Sequence, residues 1–212
     1  MITPRQTLAL ATTLLALGIM SGCATMNADE CRNADWRIVG YEDGLQGAGG
    51  DRIGQHREAC AKHGVTPDLE AYQSGRTIGL KEFCQPLTGF HLGSAGRNYN
   101  GVCPDNLETD FLLAYRDGRE LYRYQGRVNT IESTIRSRHS EIETIKQTLT
   151  ENEALIISGD TSKEDRVLLL KEMWDLAKHQ GELEEEIKNL EIERASRIQE
   201  LEDYRAQVQD LY

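Results

Sequence analysis

Between Leu121 and Leu211 the apolar residues recur at a spacing that suits a helix buried along one narrow stripe. Leu121, Val128, Ile135, Ile142, Leu149 and Ile156 stand seven apart, and Tyr124, Ile131 and Ile145 fill the intervening three-residue step, with Arg138 and Asn152 as polar members. The stretch "SGDTSKED" (158–165) breaks the pattern with Gly159 and then offers Asp160, Thr161 or Ser162 as the cap of a new helix. Leu169, Met173, Leu176, Leu183, Ile187, Leu190, Leu201, Tyr204, Val208 and Leu211 follow in a second register, with Gln180, Arg194 and Arg197 as exceptions. Two such segments around a short break predict an antiparallel coiled-coil hairpin over 121–212. Reflection about residues 160–161 sets Ile135 near Ile187 and returns Val208 and Leu211 towards Phe111 and Leu113. The other arrangement open to this pattern is a homo-oligomer in which each helix pairs with another chain. An arm from Leu121 to Ile157 would be about 55 Å long at roughly 1.5 Å per residue.

Composition changes near residue 120. Upstream lie all five cysteines and most of the glycines, whereas the downstream part is Glu-rich and cysteine-free. Three upstream phrases, "GYEDGLQG" (40–47), "AYQSGRTIG" (71–79) and "AYRDGRELY" (114–122), share a Tyr with Gly three places later. In a helix these two residues are neighbours on one face, and the missing side chain admits another backbone. Gly40/Gly44 and Gly75/Gly79 repeat the logic four apart. Pro67 and Pro104 are placed to open first helical turns. The expectation is a mainly α protein, with a small disulfide-stapled helical head over 31–120 and the hairpin beyond it.

The first 22 residues form a leader. Arg5 supplies a basic start, Leu8 to Met20 an apolar run of roughly 13 residues, and Ser21-Gly22 small residues ahead of Cys23. The run falls short of the ~20 residues a spanning helix needs. "MSGC" resembles a bacterial lipobox, which implies that Cys23 is acylated (palmitate among its chains) and becomes the new N-terminus. Several acyl chains together anchor a protein stably. Ala24 in place of Asp leaves the outer membrane as the destination, with the protein facing the periplasm. Residues 23–30 then form a lipidated tether. The net charge of −11 falls to about −12 once Arg5 leaves with the leader. Such a charge opposes binding to nucleic acid.

An oxidising periplasm makes Cys31, Cys60, Cys84 and Cys103 an even set of disulfide candidates. The pairs Cys31–Cys60 and Cys84–Cys103 each close a short loop, worth about 3–4 kcal/mol in the chain-entropy model. Free or metal-binding thiols are the rival reading. "HREACAKH" puts His56, Cys60 and His63 on one helical face at a spacing zinc could use, but a disulfide at Cys60 with two surface histidines beside it accounts better for the pattern. "GFHLGSAGRNYNG" (89–101) reads as a glycine-rich loop closed by Cys84 and Cys103. It lacks the ending of a phosphate loop, yet His91, Arg97 and Tyr99 make it the best candidate for ligand binding. Carboxylates such as Asp43, Asp51 and Asp117 have no partner that the sequence names. No nucleophile elbow occurs, so neither an enzyme nor a cofactor or metal site is expected.

Asp35-Trp36, Gly40-Tyr41, Tyr72-x-x-Gly75-Arg76 and Tyr99-x-Gly101-Val102-Cys103-Pro104 occur in that order. Over about residues 31–122 the chain resembles a family of small Gram-negative lipoproteins classed as a domain of unknown function. The resemblance implies lipoprotein character and carries no activity. Anchor, head and arm together point to a docking or structural protein with a partner in the envelope. The alternative is a ligand-binding module built on the 89–101 loop. A pocket lined by Arg97 and Tyr99 would favour the ligand, and an apolar patch at the hairpin tip would favour docking.

Overall fold

The structure is a computed structural model that describes residues 26–212. The leader and Cys23 lie outside the described residues. Among the described residues there are seven helices and no strand: α1 (Ala28–Asn33), α2 (Trp36–Leu45), α3 (Arg52–Ala61), α4 (Leu69–Phe83), α5 (Pro86–Ser94), α6 (Asp105–Ile157) and α7 (Lys163–Gln209). They form two compact units. One runs to Phe83 and takes in Asn100–Val102; the other comprises Cys84–Tyr99 and Cys103–Tyr212.

The first unit is organised by α2 and α4. A methyl group built on Gly40 would overlap the Tyr72 carbonyl, and one on Gly44 would overlap the Arg76 carbonyl. In the reverse direction Gly75 faces Arg37 and Gly79 faces Tyr41. Facing positions climb together along both helices, so the pair is parallel, and the four glycines let two backbones touch where side chains would hold them apart. Asp35 caps α2 by accepting the Arg37 and Ile38 amides, and Asp68 caps α4 through the Ala71 amide. Pro67 therefore stands just ahead of the cap rather than in the first turn. Helix α1 is held by a capping box in which Asn27 and Glu30 satisfy each other's amides. The disulfide Cys31–Cys60 joins α1 to α3, and Met26, Trp36 and Tyr72 pack around it as the core.

The second unit repeats the device with α5 and the first turns of α6. Gly89 faces Phe111, Gly93 faces Tyr115 and Arg119, and Gly118 faces Phe90 and Ser94. The ascending order again makes the pair parallel. Position by position, Gly40, Gly44 and Gly47 correspond to Gly89, Gly93 and Gly96, while Tyr72, Gly75, Gly79 and Phe83 correspond to Phe111, Ala114, Gly118 and Tyr122. Even the turn glycines agree, since Gly47 (φ 65°) lies under the Phe83 ring and Gly96 (φ 70°) under the Tyr122 ring. One structural motif thus occurs twice, once in each unit, although the phrases that repeat in sequence are not the ones that coincide in space. The disulfide Cys84–Cys103 ties the segment before α5 to the segment before α6. Both cysteine pairs expected from loop length are present. The anticipated glycine-rich loop over 89–101 is not: α5 extends to Ser94, because Pro86 opens a helix and Gly89 and Gly93 are buried contact points.

Helix α6 continues without a break through residue 120, where the composition changes, and reaches Ile157. Pro104 is its N-cap, its carbonyl accepting the Leu107 and Glu108 amides. Ser162 caps α7 through the Asp165 amide, and Arg166 closes the turn on the Ser158 and Thr161 carbonyls. The two helices fold back within one chain as an antiparallel hairpin whose seam buries Ile131, Ile135, Ile142, Ile145, Leu183 and Ile187 together. Arg138, one of the polar exceptions, pairs with Glu186 across the seam (Nε to Oε2 2.9 Å). At the base, Tyr124 stacks on Tyr204, and the Tyr204 and Tyr212 hydroxyls donate to the Asp117 carbonyl and carboxylate at 3.2 and 2.7 Å. The α7 end therefore returns to Asp117–Tyr124, a little further along α6 than simple reflection placed it, and Leu113 and Leu211 are exposed.

Candidate functional site

Helix α3 has no counterpart in the second copy of the motif. It lies in the connection between the two glycine helices of the first unit and carries Arg52 and His56 to Asp43 on α2. His56 Nε2 lies 2.8 Å from Asp43 Oδ2, and the Tyr72 hydroxyl from α4 donates to the same oxygen at 2.8 Å. Arg52 Nε stands 3.6 Å from Asp43 Oδ1. The His56 ring is flanked by Trp36 and by the edge of Tyr72, with centroids 6.3 and 6.2 Å away. All three members of the trio are buried: Asp43 is 7%, His56 4% and Tyr72 1% exposed. Burial, followed by the hydrogen bond and charge of Asp43, drives the Tyr72 pKa far above that of free tyrosine, so this hydroxyl remains a donor. A carboxylate is an acceptor, so His56 presents a protonated Nε2 to Asp43. Its Nδ1 is buried and has no partner.

The trio borders a cleft of about 410 Å³, whose wall also contains Glu30, Val39, Glu42 and Arg52. The expectation of two surface histidines beside Cys60 holds for His63 only; His56 is turned inward, where its Nε2 meets Asp43 on α2. Cys60 is in its disulfide. Among the described residues no group of three or more His, Cys, Asp and Glu is placed to hold a metal ion. Sequence reading missed Asp43–His56–Tyr72. A signal existed in the coincidence of Asp43 and Tyr72 with glycine-helix positions, but the pairing needed the duplicated motif to be recognised.

The three residues anticipated for ligand binding have different settings. His91 is exposed and borders an apolar cleft of about 420 Å³ shared with Leu87, Phe90, Leu121, Val208 and Tyr212. Arg97 is exposed, and its carbonyl accepts the Tyr115 hydroxyl at 2.9 Å. Tyr99 uses its hydroxyl internally, donating to Glu108 at 3.0 Å and accepting the Cys103 amide at 2.8 Å.

A third feature lies at the far end of the hairpin. Leu155, Ile157, Val167, Leu168, Leu170 and Trp174 are all exposed within a few turns of the 158–162 connection, Ile157 at 75% and Trp174 at 67%. The seam at this level is made by other residues, with Leu149 and Leu176 packed against its buried cluster.

The described residues thus form a helical fold built from a duplicated glycine-packed helix pair with a long hairpin growing from the second copy. Residues 35–120 match the profile of a family described as a protein of unknown function (DUF2799). The matched span begins at the α2 cap and takes in both glycine helix pairs. No curated protein and no solved structure matches the chain.

Proposed function

We propose that the protein is a non-enzymatic docking protein of the bacterial envelope, lipid-anchored at Cys23 in the outer membrane and engaging another envelope protein through the tip of its hairpin. The observation that carries the reading is the apolar tip. Large apolar side chains gathered on exposed surface commonly mark an interaction site, and tryptophan is enriched among residues that dominate interface energy. Among the described residues no helix is long and apolar enough to cross a membrane, so anchoring rests on the leader and its lipobox-like "MSGC". The strong negative charge argues against nucleic acid as the partner. A ligand held by residues 89–101 has less support, since Gly89 and Gly93 are spent on helix packing and Tyr99 on internal hydrogen bonds.

Site-specific photocrosslinking in intact envelopes tests the proposal. A photoreactive residue at Trp174 is expected to give discrete protein adducts, and one at Glu191, lower on the same helix, is expected to give none. Adduct formation at Trp174 should disappear on adding Leu168→Asp, an exposed substitution that leaves folding intact. Equal labelling at both positions, or none at either, would refute a docking tip. Fractionation of Cys23→Ser tests the anchor separately: the variant should leave the outer-membrane fraction.

A further inference from the structure

The duplicated motif supplies an internal control for the buried trio. Where the first copy has Asp43, the second has Leu92, and where the first has Tyr72, the second has Phe111. Leu92 and Phe111 are buried like their counterparts. Carboxylate and hydroxyl are thus replaced together, the helix that brings His56 is absent, and the parallel glycine pair forms all the same. A buried polar network is often no more stabilising than an apolar filling of similar shape, and here the same fold contains both solutions. The glycine pair does not need the trio.

We propose that the cleft beside Asp43 and His56 is a binding site for a small organic ammonium group. The charged side chains on this wall are mostly carboxylates, which accept hydrogen bonds. His56 gives Nε2–H to Asp43, and its Nδ1, in a ring that borders the cleft, is buried without a partner. Asp43 Oδ1 stands 3.6 Å from Arg52 Nε, longer than a hydrogen bond. Glu42 is exposed at the cleft and Glu30 keeps one carboxylate oxygen beyond the one that accepts the Asn27 amide. Three carboxylates against one guanidinium leave the lining negative, which selects a cation rich in donors. Met26, Ala34 and Val39 supply an apolar stretch of wall for a short alkyl chain. An alkylammonium has this chemistry whether it comes as a free diamine or as a lysine side chain.

Titration of the full chain by NMR, observing the His56 ring resonances, tests the site. The probes are 1,4-diaminobutane, Nα-acetyl-lysine methylamide, and butyrate as the anionic counterpart of similar size. A saturable shift is expected with the ammonium probes and none with butyrate. Response to the diamine alone would assign a free amine, and response to the lysine derivative a peptide. Glu42→Gln, at an exposed position, should weaken binding about tenfold, the size of one charge-assisted hydrogen bond. The triple variant Asp43→Leu, His56→Leu, Tyr72→Phe, which replaces the trio by apolar side chains, two of them those of the second copy, should keep its helical spectrum and lose the response. No saturable shift with either ammonium, an equal shift with butyrate, or unchanged binding in Glu42→Gln would overturn the proposal. Collapse of the triple variant together with unchanged binding in Glu42→Gln would assign the trio to the fold.

Discussion

Glycine in the middle of a helix ordinarily costs about 1 kcal/mol relative to alanine, so each helical glycine here is a test of what surrounds it. At Gly75 an added methyl would collide with the Arg37 backbone carbonyl, which cannot move without shifting α2. Gly75→Ala should therefore destabilise the first unit by about 2–4 kcal/mol, the range for overpacking at a rigid contact. At Gly126, also in a helix, nothing lies within 4 Å of the added methyl. Gly126→Ala should stabilise by about 1 kcal/mol. Urea denaturation of the two variants is expected to move in opposite directions, and a loss of stability in both would remove the close-approach explanation. A second residue-level test concerns pH. The hydrogen bond between His179 and Glu141 across the hairpin raises the histidine pKa above 6.5 and lowers the carboxyl below 4.5. The His179 contribution is complete below pH 6.5 and is lost as pH rises through its raised value, while the Glu141 contribution is present above pH 4.5 and is lost as pH falls through its lowered value. Thermal stability should accordingly be greatest between those limits and decline towards alkaline pH. The change will be small, because both groups are well exposed to solvent, and His179→Ala should flatten the alkaline side.

Helices are where the sequence spoke most clearly. A heptad stripe has one physical use, so Ile135 and Ile187 were legible as seam partners, and both are buried in the same cluster. Loop length favoured the two disulfides for a similar reason, since short closures are local. The parallel glycine pairs were not legible, because the connections differ in length and one contains α3, so the copies have no common period along the chain. Substitution of Tyr72 by Phe111 and Asp43 by Leu92 hid the correspondence further. His56 illustrates the same limit, for its partner Asp43 is set by how α3 packs rather than by any helical spacing. At this scale, Ile135→Asp should cost several kcal/mol by placing a charge in an apolar seam. Cysteines introduced at Ile142 and Gln180 should crosslink within one chain at any dilution; products that are only intermolecular would contradict the hairpin. Asn152 is the informative exception. It is buried with its amide nitrogen unpaired, a cost that a polar seam residue can repay by fixing register. Asn152→Leu should raise stability by about 1 kcal/mol, and in crosslinking it should broaden the set of residue pairs that react.

The whole molecule divides its stability between two kinds of core, one built around a disulfide and one free of cysteine. The first unit is short, and its main cluster is formed around the Cys31–Cys60 bridge itself, with both sulfurs buried. Opening that bridge restores to the unfolded chain the entropy of a 29-residue closure, about 3–4 kcal/mol in the chain-entropy model. For a unit of this size the amount is a large fraction of the usual total stability. The second unit loses a similar amount when Cys84–Cys103 opens, but it also holds the hairpin seam, which contains no cysteine. Reduction should therefore turn a thermal melt followed by circular dichroism into two steps. The first should carry the smaller share of the helical signal, belonging to α1–α4, and the hairpin should persist to higher temperature. Cys31→Ser with Cys60→Ser should reproduce the early step without reductant, whereas Cys84→Ser with Cys103→Ser should leave the first unit's transition in place. A single coincident transition in the reduced protein would mean that the units unfold as one. The two-step result would mean that the Asp43–His56 cleft depends on the Cys31–Cys60 bridge more than the hairpin depends on any disulfide.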